Sequence, residues 1–92
     1  MDIFALAAQR IIKEQQAIIG PIALMQAQKV QGLQVSTVDD IKIVGAGKDV
    51  LTNLVNQYAK LFGQTSIEVC REAFQSVSDQ FKPADIPEIL KN

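Results

Sequence analysis

Few residues in this 92-residue chain have the type and spacing that catalysis needs. There is no histidine, so no imidazole base, no His–Cys or His–Ser pair and no His-ligated metal is available near neutral pH. The single cysteine, Cys70, makes neither an internal disulfide nor a Cys-x-x-Cys site. Arg71 beside it would lower its pKa only if both pointed the same way. At helical spacing Cys70 projects between Ile67, Phe74 and Val77 while Arg71 turns away, so Cys70 reads as a small buried apolar residue. Tyr58, the only tyrosine, falls in the centre of an apolar arc and reads as core or interface.

The remaining motifs are weak on their own chemistry. Gly45-Ala46-Gly47-Lys48-Asp49 invites a phosphate-loop reading, since backbone N–H groups at a helix start bind anions. The loop glycine that should precede the Gly-Lys pair by five positions is Lys42, and the magnesium-ligating hydroxyl is replaced by Asp49. A flexible turn with Asp49 as a favourable helix-start charge is the reading that remains. Asp39-Asp40 suits a turn, and Glu68/Glu72 suits an exposed helix face, so neither pair is expected to hold a metal. No cofactor, small-molecule ligand or enzymatic activity is expected.

The elements that carry these residues are mostly helical. Asp2 is placed to cap a helix running to Ile19. At about 100° per residue, Phe4, Ala8, Ile11, Ile12, Ile18 and Ile19 share a face opposite Gln9, Lys13 and Gln16. Gln15 sits in the middle of that stripe, either at its wet end or as an amide turned to a partner. Gly20-Pro21 then kinks or breaks the helix before a second stretch, Ile22 to Gln31, with Gly32 as its left-handed cap.

Leu33 to Ser36 and Ile41 to Val44 alternate apolar with polar residues around a Thr37–Asp40 turn, which predicts a β-hairpin. Leu33, Val35, Ile41 and Ile43 would face inward. A lone hairpin needs cover, supplied either by the helices or by strands of a second copy. A strongly amphipathic helix follows to Phe62, closed by Gly63. Thr65-Ser66-Ile67-Glu68 matches a capping box that would open the next helix, whose stripe runs Ile67, Cys70, Phe74, Val77 and Phe81 until Pro83. Asp85 and Pro87 suit a short terminal turn. The expected fold is α+β and mostly helical, one domain over residues 1–92: a kinked or broken N-terminal helix pair, one hairpin, and an antiparallel C-terminal helical hairpin with a short terminal helix.

The 49–79 stretch resembles a helix-turn-helix over about 20 residues, with Ala59, Gly63 and Val69 at the positions of its small residue, turn glycine and inward apolar residue. It departs from that family in its long first helix and in Glu72, where an apolar residue is usual. The resemblance implies a small DNA-binding or regulatory protein. Against this, the groove-facing side carries Glu68, Glu72 and Asp79 with one Arg71, and nine Lys and Arg against ten Asp and Glu leave a net charge of −1. Nucleic acid is therefore a disfavoured partner.

At 48% hydrophobic, the chain is rich in apolar residues for its size. That excess, together with the lone hairpin, predicts a non-enzymatic protein–protein interaction module that forms a homodimer or binds another protein. Phe4, Ile11, Gln15, Ile18 and Ile19 on the first helix, with Ile41 and Ile43 on the hairpin, are its expected interface. Neither a basic leader nor a long apolar run is present, so no membrane association is expected and the cytoplasm is the expected compartment.

Overall fold

A computed structural model describes residues 2–91; Met1 and Asn92, counted in the expected domain, lie outside the described residues. Asp2 caps helix α1 (Ile3–Ile19) through Oδ1, which accepts from the Ala5 N–H at 2.8 Å. Gly20, in a left-handed conformation with φ of 73°, ends α1, and Pro21 leads into the separate short helix α2 (Ile22–Ala27). The N-terminal pair is thus two helices. α2 is shorter than expected because the turns after Ala27 tighten, with Lys29 and Val30 N–H bonding the carbonyls of Gln26 and Ala27. This turns Val30 inward.

Strands β1 (Leu33–Thr37) and β2 (Asp40–Ile43) form the antiparallel hairpin, with Leu33 opposite Ile43 and Val35 opposite Ile41. The register shifts between Val35 and Thr37, leaving Ser36 as an extra residue on the exposed side. Leu33 and Ile41 are buried, Val35 and Ile43 half-buried, and Gln34 and Lys42 exposed, as the alternation predicts. Gly32 sits against this sheet with φ of 85°, and a Cβ there would meet the Val44 carbonyl and the Val50 side chain at 2.8 Å. Only glycine fits.

Helix α3 (Gly47–Phe62) and helix α4 (Gln64–Gln75) pack against each other across the single residue Gly63. With so short a link α4 is already helical at Gln64, and no side chain caps it. The capping box centred on Thr65 does not form. Thr65 lies inside the first turn, and Glu68 instead accepts from Gln64 Nε2 at 3.1 Å. α4 also ends early, at Gln75, where the hydroxyls of Ser76 and Ser78 bond back to the Ala73 and Gln75 carbonyls. Phe81 nevertheless reaches the core. It makes edge-on contacts with Phe4, ring centroids 5.2 Å apart, and with Phe74 at 4.9 Å.

The terminal segment consists of three 3-10 turns, Ser78–Gln80, Pro83–Asp85 and Glu88–Leu90. Lys48 Nζ holds the Ala84 carbonyl at 2.9 Å and Arg71 Nε holds that of Ile89 at 3.0 Å, which straps the segment across α3 and α4. The fold is α+β and mostly helical, and α1 is its central element. α1 touches α2, α3, α4 and β2, with Ala5, Ala7 and Ala8 buried where those neighbours approach closely. Its polar side, where Lys13 stays exposed, touches the hairpin turn. Gln9 Nε2 donates to the Val38 carbonyl at 2.9 Å, and Lys13 pairs with Asp39 at 3.4 Å, tying the hairpin turn to α1.

Candidate functional site

The expected interface residues divide sharply by burial. Ile11 is fully buried and Gln15 only 1% exposed, both inside the core between α1 and α4, and Ile41 is buried beneath the hairpin. Phe4, Ile19 and Ile43 are half-buried and packed against the same core. Ile18 alone stands largely free, at 61% exposure. A partner cannot touch Ile11, Gln15 or Ile41 in this fold, because the chain's own helices already cover that stripe. For the same reason Ile11→Asp would unfold the chain before it could report on an interface.

Gln15 is satisfied internally. Its Nε2 donates to the Ser66 carbonyl at 3.2 Å in the first turn of α4 and to Cys70 Sγ at 3.4 Å one turn further on. Neither the wet-end nor the partner-facing position describes it. Near this amide, Tyr58 Oη donates to the Ala23 carbonyl at 2.7 Å, fastening α3 to α2. Burial pushes the Cys70 thiol up to about 11, opposed by the Gln15 hydrogen bond. Burial, and then the neighbouring Cys70, raise Tyr58 beyond its ordinary range. The cluster is structural: a protonated thiol without a basic neighbour is a poor nucleophile.

A surface feature emerges from the elements this cluster joins. Gln15 holds the end of α1 to the start of α4, Tyr58 holds α2 to α3, and Gln57 Nε2 donates to Gln26 Oε1 at 2.8 Å along the same seam. The end of α1, the start of α2, the last turns of α3 and the first of α4 are therefore drawn together at one end of the molecule, from which α2 runs on towards β1. There Ile18, Ile22, Met25, Leu61 and Phe62 are left 39% to 61% exposed. Val44, also exposed, lies apart, next to Gly32 and so near the first turn of α3. The sequence did carry a signal for this end. Leu61 and Phe62 lie in the apolar arc of α3, but the one-residue link at Gly63 turns the chain away before a neighbour can cover them.

The helix-turn-helix-like face of α4 keeps only part of the charge read from the sequence, because α4 ends at Gln75 and Asp79 lies beyond it in the Ser78–Gln80 turn. Glu68 and Glu72 are exposed, and Arg71 is committed to Glu68 Oε1 at 2.9 Å and to the Ile89 carbonyl. Among the described residues no three His, Cys, Asp or Glu side chains gather as a metal site, and no helix is long and apolar enough to cross a membrane. No protein-family model matches the chain, and comparison with curated proteins and with solved structures finds no similar protein.

Proposed function

We propose that this chain is a non-enzymatic, cytoplasmic protein–protein interaction module that works as a homodimer, and that two copies meet through the apolar end formed by Ile18, Ile22, Met25, Leu61 and Phe62. The observation that carries this reading is the exposure of five large apolar side chains on the end of α1, on α2 and on the last turn of α3, elements that the Gln15, Gln57 and Tyr58 hydrogen bonds draw together. The surface of 5071 Å² is close to the roughly 5,300 Å² expected for a folded monomer of this mass, so the exposure does not come from loose packing.

Area supports a second copy as the occupant. At roughly 200 Å² per fully exposed large side chain, the five leave about 500 Å² of apolar surface, the upper range for a monomer's largest patch. A stable dimer buries about 800 Å² per partner around such an apolar centre, and Gly20, Pro21 and Gln64 at the margin would supply the rest. Burial of the one free thiol, Cys70, fits a reducing compartment without depending on it.

Sedimentation velocity at tens of micromolar tests the proposal. The wild-type chain should sediment as a dimer, and Met25→Lys combined with Leu61→Lys should give a folded monomer. Both positions are exposed, so circular dichroism should not change. A wild-type monomer at high micromolar concentration would overturn the reading.

A further inference from the structure

Beside this apolar end, and separate from it, a polar cleft of about 290 Å³ runs between the α2–β1 connection and the outer face of α3. Its polar lining is Lys29, Gln31, Asn53, Asn56, Gln57 and Lys60: two cations, four carboxamides and no carboxylate. Among the described residues neither lysine is in an ion pair, which is true also of Arg10, Lys42, Lys48 and Lys82, so both charges are free to meet a ligand. The nearest acid on α3, Asp49, lies a turn below Asn53, at the end of the cleft away from Lys60. We infer that this cleft binds a short extended acidic peptide segment, with carboxylates at Lys29 and Lys60 and the peptide main chain hydrogen-bonded by the carboxamides between them.

The chemistry of the lining selects that ligand. Each carboxamide offers both N–H donors and a carbonyl acceptor, the pair that an extended main chain needs. Asn53, Asn56, Gln57 and Lys60 follow i, i+3, i+4, i+7 spacing, a stripe about 10 Å long that matches about three residues of extended chain. The floor is fixed, because Gln57 is bonded to Gln26, which is itself only 7% exposed. The cleft has no arginine to grip phosphate with a bidentate fork and no aromatic ring on which a base could stack. An overall charge of −1 also repels a long polyanion, while two local lysines attract a short acidic segment.

Fluorescence anisotropy at low salt, with a labelled hexapeptide of alternating aspartate and alanine, tests the inference. Three comparisons accompany it: the same peptide with asparagine for aspartate, a six-nucleotide single-stranded DNA, and the Lys29→Glu/Lys60→Glu protein. The acidic peptide should bind saturably, and about tenfold or more weaker when either partner's charges are removed or reversed. Asn56→Ala should weaken it by a smaller factor while leaving the charge requirement intact. Lys29→Gln/Lys60→Gln serves as the milder pair if the reversal disturbs folding. Absence of binding, equal binding of the neutral peptide, unchanged affinity in the lysine variants, or tighter binding of the oligonucleotide would each overturn the inference. None of these residues belongs to the apolar end, so the result is independent of whether the chain dimerises.

Discussion

Gln15 on α1 donates from Nε2 to the sulfur of Cys70 on α4, 3.4 Å away, at a point where both side chains are closed off from water. The same nitrogen holds the Ser66 carbonyl, so one amide fixes the position of α4 along α1. A long polar side chain in the middle of an apolar stripe is thus a register pin between two helices, not a point of contact with another molecule.

Substitutions at Gln15 should separate packing from polarity. Gln15→Met keeps the volume and leaves no costly orphan, since the Ser66 carbonyl sits within a helix and Sγ is a weak acceptor; stability should change by about 1 kcal/mol or less. Gln15→Ala opens a cavity and should cost about 2–4 kcal/mol. Gln15→Glu buries a charge without a cation and should cost about 3 kcal/mol or more at neutral pH, easing as acid protonates it. Urea unfolding of the three variants gives the order directly.

Alkaline pH should destabilise the fold through Cys70. Its thiol ionises near 9 when unfolded and near 11 when folded, because burial disfavours the thiolate. Above pH 9 the unfolded chain loses that proton while the native chain keeps it, so stability present at neutral pH falls as pH rises through this window. The loss is on the order of 2–3 kcal/mol by pH 11, with buried Tyr58 adding in the same direction at the upper end. Unfolding midpoints at pH 7, 9, 10 and 11 should decline less steeply in Cys70→Ala. The native thiol should also react with a disulfide reagent far more slowly than the unfolded one.

Gly47→Ala should reverse the usual benefit of removing a helical glycine. A Cβ at this position, in the first turn of α3, would run into the Phe4 ring, which leans on Phe81. The expected cost is about 1–3 kcal/mol despite the better helix propensity of alanine. Adding Phe4→Leu should recover part of that loss, and a double-mutant cycle on thermal unfolding measures the coupling.

Periodicity was enough to place α1, the hairpin and α3, because in each the apolar residues recur at the spacing of the element that buries them. The Asp2 cap, the inward set Leu33 and Ile41, and the buried state of Cys70 and Tyr58 followed from local chemistry alone. Element ends were less legible. α2 and α4 stop short of the predicted Gln31 and Phe81 because tightened turns and serine hydroxyls take over the backbone hydrogen bonds there. What a sequence stripe cannot state is which molecule covers it. The face of Ile11 and Gln15 looked available only until α4 was seen lying on it, and Gln9 looked solvated until the hairpin turn was seen against it, while Lys13 stays exposed. Conversely Leu61 and Phe62, members of a buried-looking arc, are exposed because Gly63 folds α4 back before covering them. The sequence by itself determined which surfaces are apolar. Only the tertiary structure decided which of them this chain consumes, since burial depends on neighbours distant in sequence and on the angles at Gly20 and Gly63 that bring them together.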